Sequence, residues 1–127
     1  MKKILIVDDE LSLVNFITDV VRILGFEPKF LTNGKKVLAT AKSWKPDVIT
    51  LDIMMPSPNG IEVLDQLKKD TETAAIPVFV MSALSADPEV LSKIKLAQAV
   101  FNKPIDTKEF IARLRQLDQI PAHPQTT

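Results

Sequence analysis

A short strand pattern followed by a helical one recurs five times along the chain, and few folds are open to a chain built that way. Ile4–Val7 is a continuous apolar run, too short for a helix. It reads as a strand buried on both faces, as in a parallel sheet. Leu13, Phe16, Ile17, Val20, Val21 and Leu24 then recur at helical spacing and predict one apolar face. Gly25 would end that helix as a left-handed cap. Glu27–Leu31 is a second strand, Asn33-Gly34 a turn, and Lys35 to Ser43 a second helix that Lys45-Pro46 breaks. A third strand, Asp47–Leu51, runs into Asp52. Pro56 to Asn59 is loop. A third helix starts near Gly60 and is predicted to bury Ile61, Leu64 and Leu67.

Pro77 opens a fourth strand, Val78–Met81, which ends at Ser82. Asp87-Pro88 has the chemistry of a helix start, and the helix after it carries Val90, Leu91 and Ile94. Ala99–Asn102 is a fifth strand, ending at Lys103-Pro104. Asp106 and Glu109 predict a capping box for a last helix that buries Phe110, Leu114 and Leu117. Strand–helix alternation of this kind predicts an α/β fold: a five-stranded parallel sheet, doubly wound, with helices on both faces. One domain is expected over residues 1–118, with a disordered tail over 119–127.

Composition narrows the function. There is no cysteine, which excludes disulfides and thiolate metal sites and fits a cytoplasmic protein. No apolar run approaches the roughly 20 residues of a membrane span. Met1-Lys2-Lys3 with the short apolar run behind it does not read as a signal peptide. Lysine plus arginine and aspartate plus glutamate each number 16, so the formal net charge is zero. That argues against nucleic-acid binding through a general basic field. The pairs Lys35-Lys36 and Lys68-Lys69 read as solvated helix faces. Trp44 reads as a half-buried anchor, and Met54 and Met55 as candidate core filler.

Ligands of open parallel sheets bind beyond the carboxyl ends of the strands. Four predicted strands end there in a polar or charged residue: Asp8 and Asp9, then Asp52, Ser82 and Lys103. Each is weak evidence alone, and their convergence on one sheet edge is the signal. Three carboxylates brought together repel, and at least one would be pushed to keep its proton. A divalent cation removes that conflict, and hard oxygen ligands without cysteine or clustered histidine favour Mg²⁺. Mg²⁺ commonly joins carboxylates to a phosphate oxygen, so a phosphoryl group is the natural partner. Lys103 would hold one phosphoryl oxygen as a point charge, and Ser82 would donate to another. Asp52, on the predicted central strand, is the candidate nucleophile.

With these residues in place, the chain resembles the receiver domain of a two-component response regulator, over essentially Met1 to Leu117. The matching pieces are Ile6-Val7-Asp8-Asp9-Glu10, Asp47 to Asp52-Ile53-Met54-Met55-Pro56 with Gly60, Pro77 to Ser82-Ala83, and Lys103-Pro104. The resemblance implies a flavodoxin-like sheet of order 2-1-3-4-5. It implies that Asp52 is the phosphoacceptor, that Asp9 is the direct Mg²⁺ ligand and that Asp8 acts mainly through water. It further implies that the Met54 backbone carbonyl completes the metal site, that Ser82 is the switch hydroxyl and that Lys103 is the family's lysine. Ala83 aligns with a small residue that leaves the phosphate accessible. The implied donor is a phosphohistidine on a sensor histidine kinase or phosphotransfer protein, or a small phosphodonor. The implied output is altered binding of a downstream protein, with phosphorylation-dependent dimerisation possible. The implied chemistry is self-phosphorylation and slow autodephosphorylation, not enzymatic turnover.

The family usually has tyrosine or phenylalanine three positions before the lysine, where this chain has Val100. Phe101 is one place later, and strand alternation points it to the other side. Leu96-Ala97 stands where Gly-Ala is usual. Met54 and Leu84 flank the expected site, and apolar groups there cannot orient an attacking water. The main alternative is a receiver-like scaffold that is never phosphorylated, which Val100 would favour. A Mg²⁺-dependent phosphohydrolase would need an acid or base two residues after Asp52, where Met54 stands. A flavin module is disfavoured because Asp8-Asp9-Glu10 would repel a flavin phosphate. His123, in the tail, lacks the helical bundle of a phosphorelay histidine.

Overall fold

A computed structural model of the chain describes residues 2–56, 58–82, 92 and 94–119. In chain order the elements are β1 (Lys2–Val7), α1 (Leu11–Ile23), β2 (Phe26–Leu31), α2 (Val37–Trp44), β3 (Val48–Asp52), α3 (Gly60–Lys69), β4 (Val78–Ser82), β5 (Ala99–Asn102) and α4 (Thr107–Gln119). All strands are parallel, in the order β2-β1-β3-β4-β5. This is the expected doubly wound architecture, with β3 at its centre. The helix expected to start at Asp87-Pro88, with Val90 and Leu91, lies outside the described residues, as do Ala83, Leu84 and the tail from Ile120 on.

The inner strands β1, β3 and β4 are largely apolar on both faces because both are covered, whereas the edge strand β2 carries Glu27 and Lys29. Successive side chains point to opposite sides. Leu5 and Val7 join Ile49, Leu51, Val78 and Val80 in a core under α2 and α3. Ile4 and Ile6 join Val48, Phe79, Met81 and Phe101 in a second core under α1 and α4. Each such side chain contributes about 1.5–3 kcal/mol on burial. Phe79, Phe101 and Phe110 form an aromatic triangle with centroids 5.5, 5.7 and 6.3 Å apart. Phe101 therefore faces the α1/α4 core, as alternation requires, while neighbouring Val100 is 41% exposed.

Several local expectations change. Phe16 is 44% exposed and off the core. The buried row of α1 is Val14, Ile17 and Val21, and Phe16 stands about 100° around the helix from Ile17. In α3 it is Val63, with Leu64 and Leu67, that is buried, while Ile61 is only half-buried. Lys68 is not a solvated lysine. Its Nζ donates to the carbonyls of Ala74 (3.1 Å) and Ile76 (2.8 Å), and burial pushes its pKa down. Lys69 is exposed and pairs with Asp65. Gly25 has the expected left-handed φ of 91° just past α1. Trp44 is half-buried, with the ammonium groups of Lys3 and Lys29 at 5.3 and 5.1 Å from its ring centroid. Met55 is core, and Met54 is not. Asp106 Oδ1 accepts from the backbone N–H groups of Lys108 and Glu109, which is its half of the expected box.

Candidate functional site

The parallel register lines the strand ends up. Val7 pairs with Leu51 and Asp52 with Met81, so Asp8 and Asp52 emerge side by side at the top of the central strands. Ser82 pairs with Asn102, which puts Lys103 next to it in the adjoining loop. The Lys103 backbone N–H donates to the Ser82 carbonyl at 2.8 Å, and the Lys103–Pro104 peptide bond is cis. Among the described residues the buried polar side chains are Asp8, Thr50, Asp52, Thr73 and Ser82. Three of these five stand at this edge, where no packing reason asks for them.

Asp8 and Asp52 are each only 2% exposed, whereas Asp9 faces solvent. One carboxylate oxygen from each of the three lies within 4.8 Å of the others. Local backbone turns hold the buried pair: Asp8 Oδ1 accepts from the Glu10 N–H at 2.8 Å and Asp52 Oδ1 from the Met54 N–H at 2.9 Å. From the far end of the chain Lys103 Nζ reaches Asp8 Oδ2 at 3.1 Å, Asp52 Oδ2 at 3.5 Å and Glu10 Oε1 at 3.6 Å. Burial pushes the Asp8 carboxyl above its ordinary range. The Glu10 N–H and Lys103 pull it back, and the charge of Asp52 adds to the rise. For Lys103, burial works to lower the pKa, but the hydrogen bond to Asp8 and the charges of Asp8, Asp52 and Glu10 outweigh it and hold the ammonium above its usual value.

Three carboxylates, Asp8, Asp52 and Glu10, thus hold one ammonium, and a fourth, Asp9, stands beside Asp8 and Asp52. A buried carboxyl that resists ionising beside a second one is a group short of positive charge. The donors are all hard oxygens, so the set fits Mg²⁺. Asp8, Asp9 and Asp52 are the side chains able to hold it.

The floor of the site is set by α3. Asn59 caps this helix in a full capping box, its side chain accepting from Glu62 N–H (3.0 Å) while the Glu62 carboxylate accepts from Asn59 N–H (2.8 Å). Gly60 then brings the helix against the backbone of Asp52 and Ile53, so closely that a Cβ there would overlap both. Asn59-Gly60-Ile61-Glu62 is legible as a box in the sequence once Asn59 is taken as a cap instead of as loop. The contact of Glu10 with Lys103 carries no such signal.

The family model described as the response regulator receiver domain matches residues 4–115. The DNA-binding dual master transcriptional regulator RpaA of Synechocystis sp. is 32% identical over 95% of this chain and 52% of its own. Protein PilH of Pseudomonas aeruginosa is 35% identical over 87% of this chain and 93% of its own. This chain spans about half the length of the RpaA and MtrA relatives it matches. Among solved structures, the receiver domain of Francisella response regulator 1452 has a TM-score of 0.83 at 28% identity, covering 94% of this chain and 98% of that one.

Proposed function

Because the chain belongs to the response regulator receiver family, we propose that Asp52 accepts a phosphoryl group and that the domain works as a phosphorylation-activated switch. What carries the reading is the convergence of Asp8, Asp9, Asp52 and Lys103, from three separate strand ends, on one spot. An Asp52 carboxylate oxygen attacks phosphorus. The bond from phosphorus to the donor breaks, and its electron pair leaves with the donor, an imidazole that then takes a proton from solvent or an acetate that needs none. Lys103 holds a phosphoryl oxygen, and Ser82 closes on another once Asp52 is modified. Asp8, Asp9, Asp52 and the Met54 carbonyl would hold Mg²⁺, which supplies positive charge between the carboxylates and the incoming anion.

The donor would be a phosphohistidine on a sensor histidine kinase or phosphotransfer protein, in the cytoplasm. The output would be a change in how a downstream protein, or a second copy, binds. A scaffold that is never phosphorylated has no use for a lysine held by three carboxylates at a buried strand edge, and is the weaker reading. A phosphohydrolase is weaker still, since Met54 offers no acid or base.

Incubation with Mg²⁺ and acetyl phosphate tests the switch. The expected product is a protein carrying one phosphoryl group that hydroxylamine removes and that does not form in EDTA. No adduct from this donor or from a phosphorylated kinase would sink the switch in favour of the scaffold, and rapid release of free phosphate would favour the hydrolase.

The same adduct is expected to decay slowly. The Met54 side chain is exposed beside Asp52 and cannot orient a water for in-line attack. A half-life of minutes or longer on the isolated domain is the expected result, and Met54→Asn should shorten it by roughly tenfold, within the range of a single positioned polar group. A wild-type half-life of seconds would remove this role from Met54.

A further inference from the structure

The acidic run Asp8-Asp9-Glu10 contains a carboxylate that the proposed metal site leaves unused. Glu10 occupies the N-cap position of α1, yet its side chain makes no capping hydrogen bond. Its Oε2 lies at 3.5 Å from the Ser12 hydroxyl, and its Oε1 reaches over to Lys103 Nζ at 3.6 Å. An ammonium has three N–H donors. Asp8 accepts a hydrogen bond from the Lys103 ammonium, while Asp52 and Glu10 stand against it as ion pairs at 3.5 and 3.6 Å, the Glu10 side chain being 58% exposed.

A phosphoryl oxygen arriving on Lys103 has to displace one of these carboxylates. Asp8 is buried and has the shortest contact, and Asp52 is the reacting group itself. Glu10 makes the longest contact, is exposed, and has open solvent to swing into. Its charge also stands on the path of any anion approaching Lys103, the same repulsion that disfavours a flavin phosphate here. We infer that Glu10 is a positioning residue for phosphoryl transfer. Its carboxylate pairs with the Lys103 ammonium in the resting site, gives way to the incoming phosphoryl oxygen, and by its charge discriminates against small, doubly charged donors. This rests on Asp52 being the phosphoacceptor.

Glu10→Gln removes the charge and keeps the shape, and with no capping bond to lose it leaves the fold intact. Rates of adduct formation with Mg²⁺ are compared for the wild type, Glu10→Gln and Glu10→Asp, using acetyl phosphate (doubly charged at neutral pH) and phosphoramidate (singly charged). With acetyl phosphate at low salt, Glu10→Gln is expected to react about threefold to tenfold faster, the scale of one screened charge a few ångströms away. The gain should appear in KM and not in the saturating rate. It should be smaller with phosphoramidate and fade near 1 M salt, where the screening length is about 3 Å. Glu10→Asp, which keeps the charge, should stay close to wild type. Mg²⁺ affinity by calorimetry should fall by less than about tenfold, the same screened charge acting on a dication.

An unchanged rate, or a gain that ignores salt and donor charge, would overturn the role of Glu10 and leave Asp52 as acceptor. A tenfold or larger loss of Mg²⁺ affinity would overturn it too, by making Glu10 a ligand. No adduct on any of the three proteins would remove the phosphoacceptor reading, and this inference with it.

Discussion

Asp52→Asn is expected to lower the acetyl phosphate adduct by more than about 100-fold while leaving the domain folded and no less stable. The two halves of this result have separate causes. The adduct is lost because an amide oxygen is a far poorer nucleophile than a carboxylate. The fold survives because the interaction that orients the side chain, the Met54 N–H to Oδ1 at 2.9 Å, needs only an oxygen acceptor, which asparagine still has. Stability holds because the charge of Asp52 is one of the influences that push the Asp8 carboxyl upward. Removing it relieves a like-charge contact in a buried place, at the expense of one 3.5 Å contact with Lys103. Thermal unfolding in EDTA should give a Tm equal to wild type or a few degrees higher, about what 1 kcal/mol moves in a domain of this size. An undiminished adduct on the Asn variant would move the acceptor to Asp8 or Asp9, which share the same small volume.

That stability should not suffer when a presumed functional group is removed follows from how the site is built. The strand ends at this edge carry side chains that repel or resist burial. The cost is borne by the two large apolar clusters on either side of the sheet. Functional sites commonly trade stability in this way.

The sheet was readable because the inner strands are short, nearly unbroken apolar runs, Thr50 being the exception inside β3, and because a parallel sheet covered on both faces asks for that pattern. Helix faces were less readable, for a definite reason. In α1 apolar residues spread around more than one face, so spacing alone allows more than one row; the buried one is Val14, Ile17 and Val21, with Leu13 and Leu24 packed beside it and Phe16 facing solvent. The same ambiguity made Ile61 look central where Val63 is. Lys68 was misread because its partners, the carbonyls of Ala74 and Ile76, come from a loop whose course no local pattern specifies. The acidic corner was legible from one general rule, that ligands of parallel sheets gather at carboxyl strand ends. Its wiring was not. Lys103 meets Asp8 from 95 residues away, and nothing in the run Asp8-Asp9-Glu10 tells which of the three acids will be buried, solvated or leaning on a lysine.

The position where fold and site are most tightly joined is Gly60, and Gly60→Ala is expected to damage both. A Cβ there would overlap the Asp52 carbonyl oxygen and the Ile53 Cα, with the Asp52 carbonyl carbon at 2.9 Å. These are backbone atoms of the central strand and its exit, so no side-chain rotation can make room. The helix has to lift, and in lifting it strains the Asn59–Glu62 box and the packing of Val63, Leu64 and Leu67. A loss of ~3 kcal/mol is expected, at the upper end of overpacking costs. Gly25→Ala is the matched control. It pays for a left-handed φ of 91° but meets nothing within 4 Å, so about 1 kcal/mol is expected. Urea unfolding separates the two. If Gly60→Ala proved as mild as Gly25→Ala, the close approach of α3 to Asp52 would not be a constraint. The chemistry should follow the backbone: a shift of about 1 Å in a reacting group can cost on the order of 100-fold. The adduct should therefore form far more slowly on Gly60→Ala even under conditions where the variant is fully folded, whereas Gly25→Ala, remote from Asp52, should react like wild type.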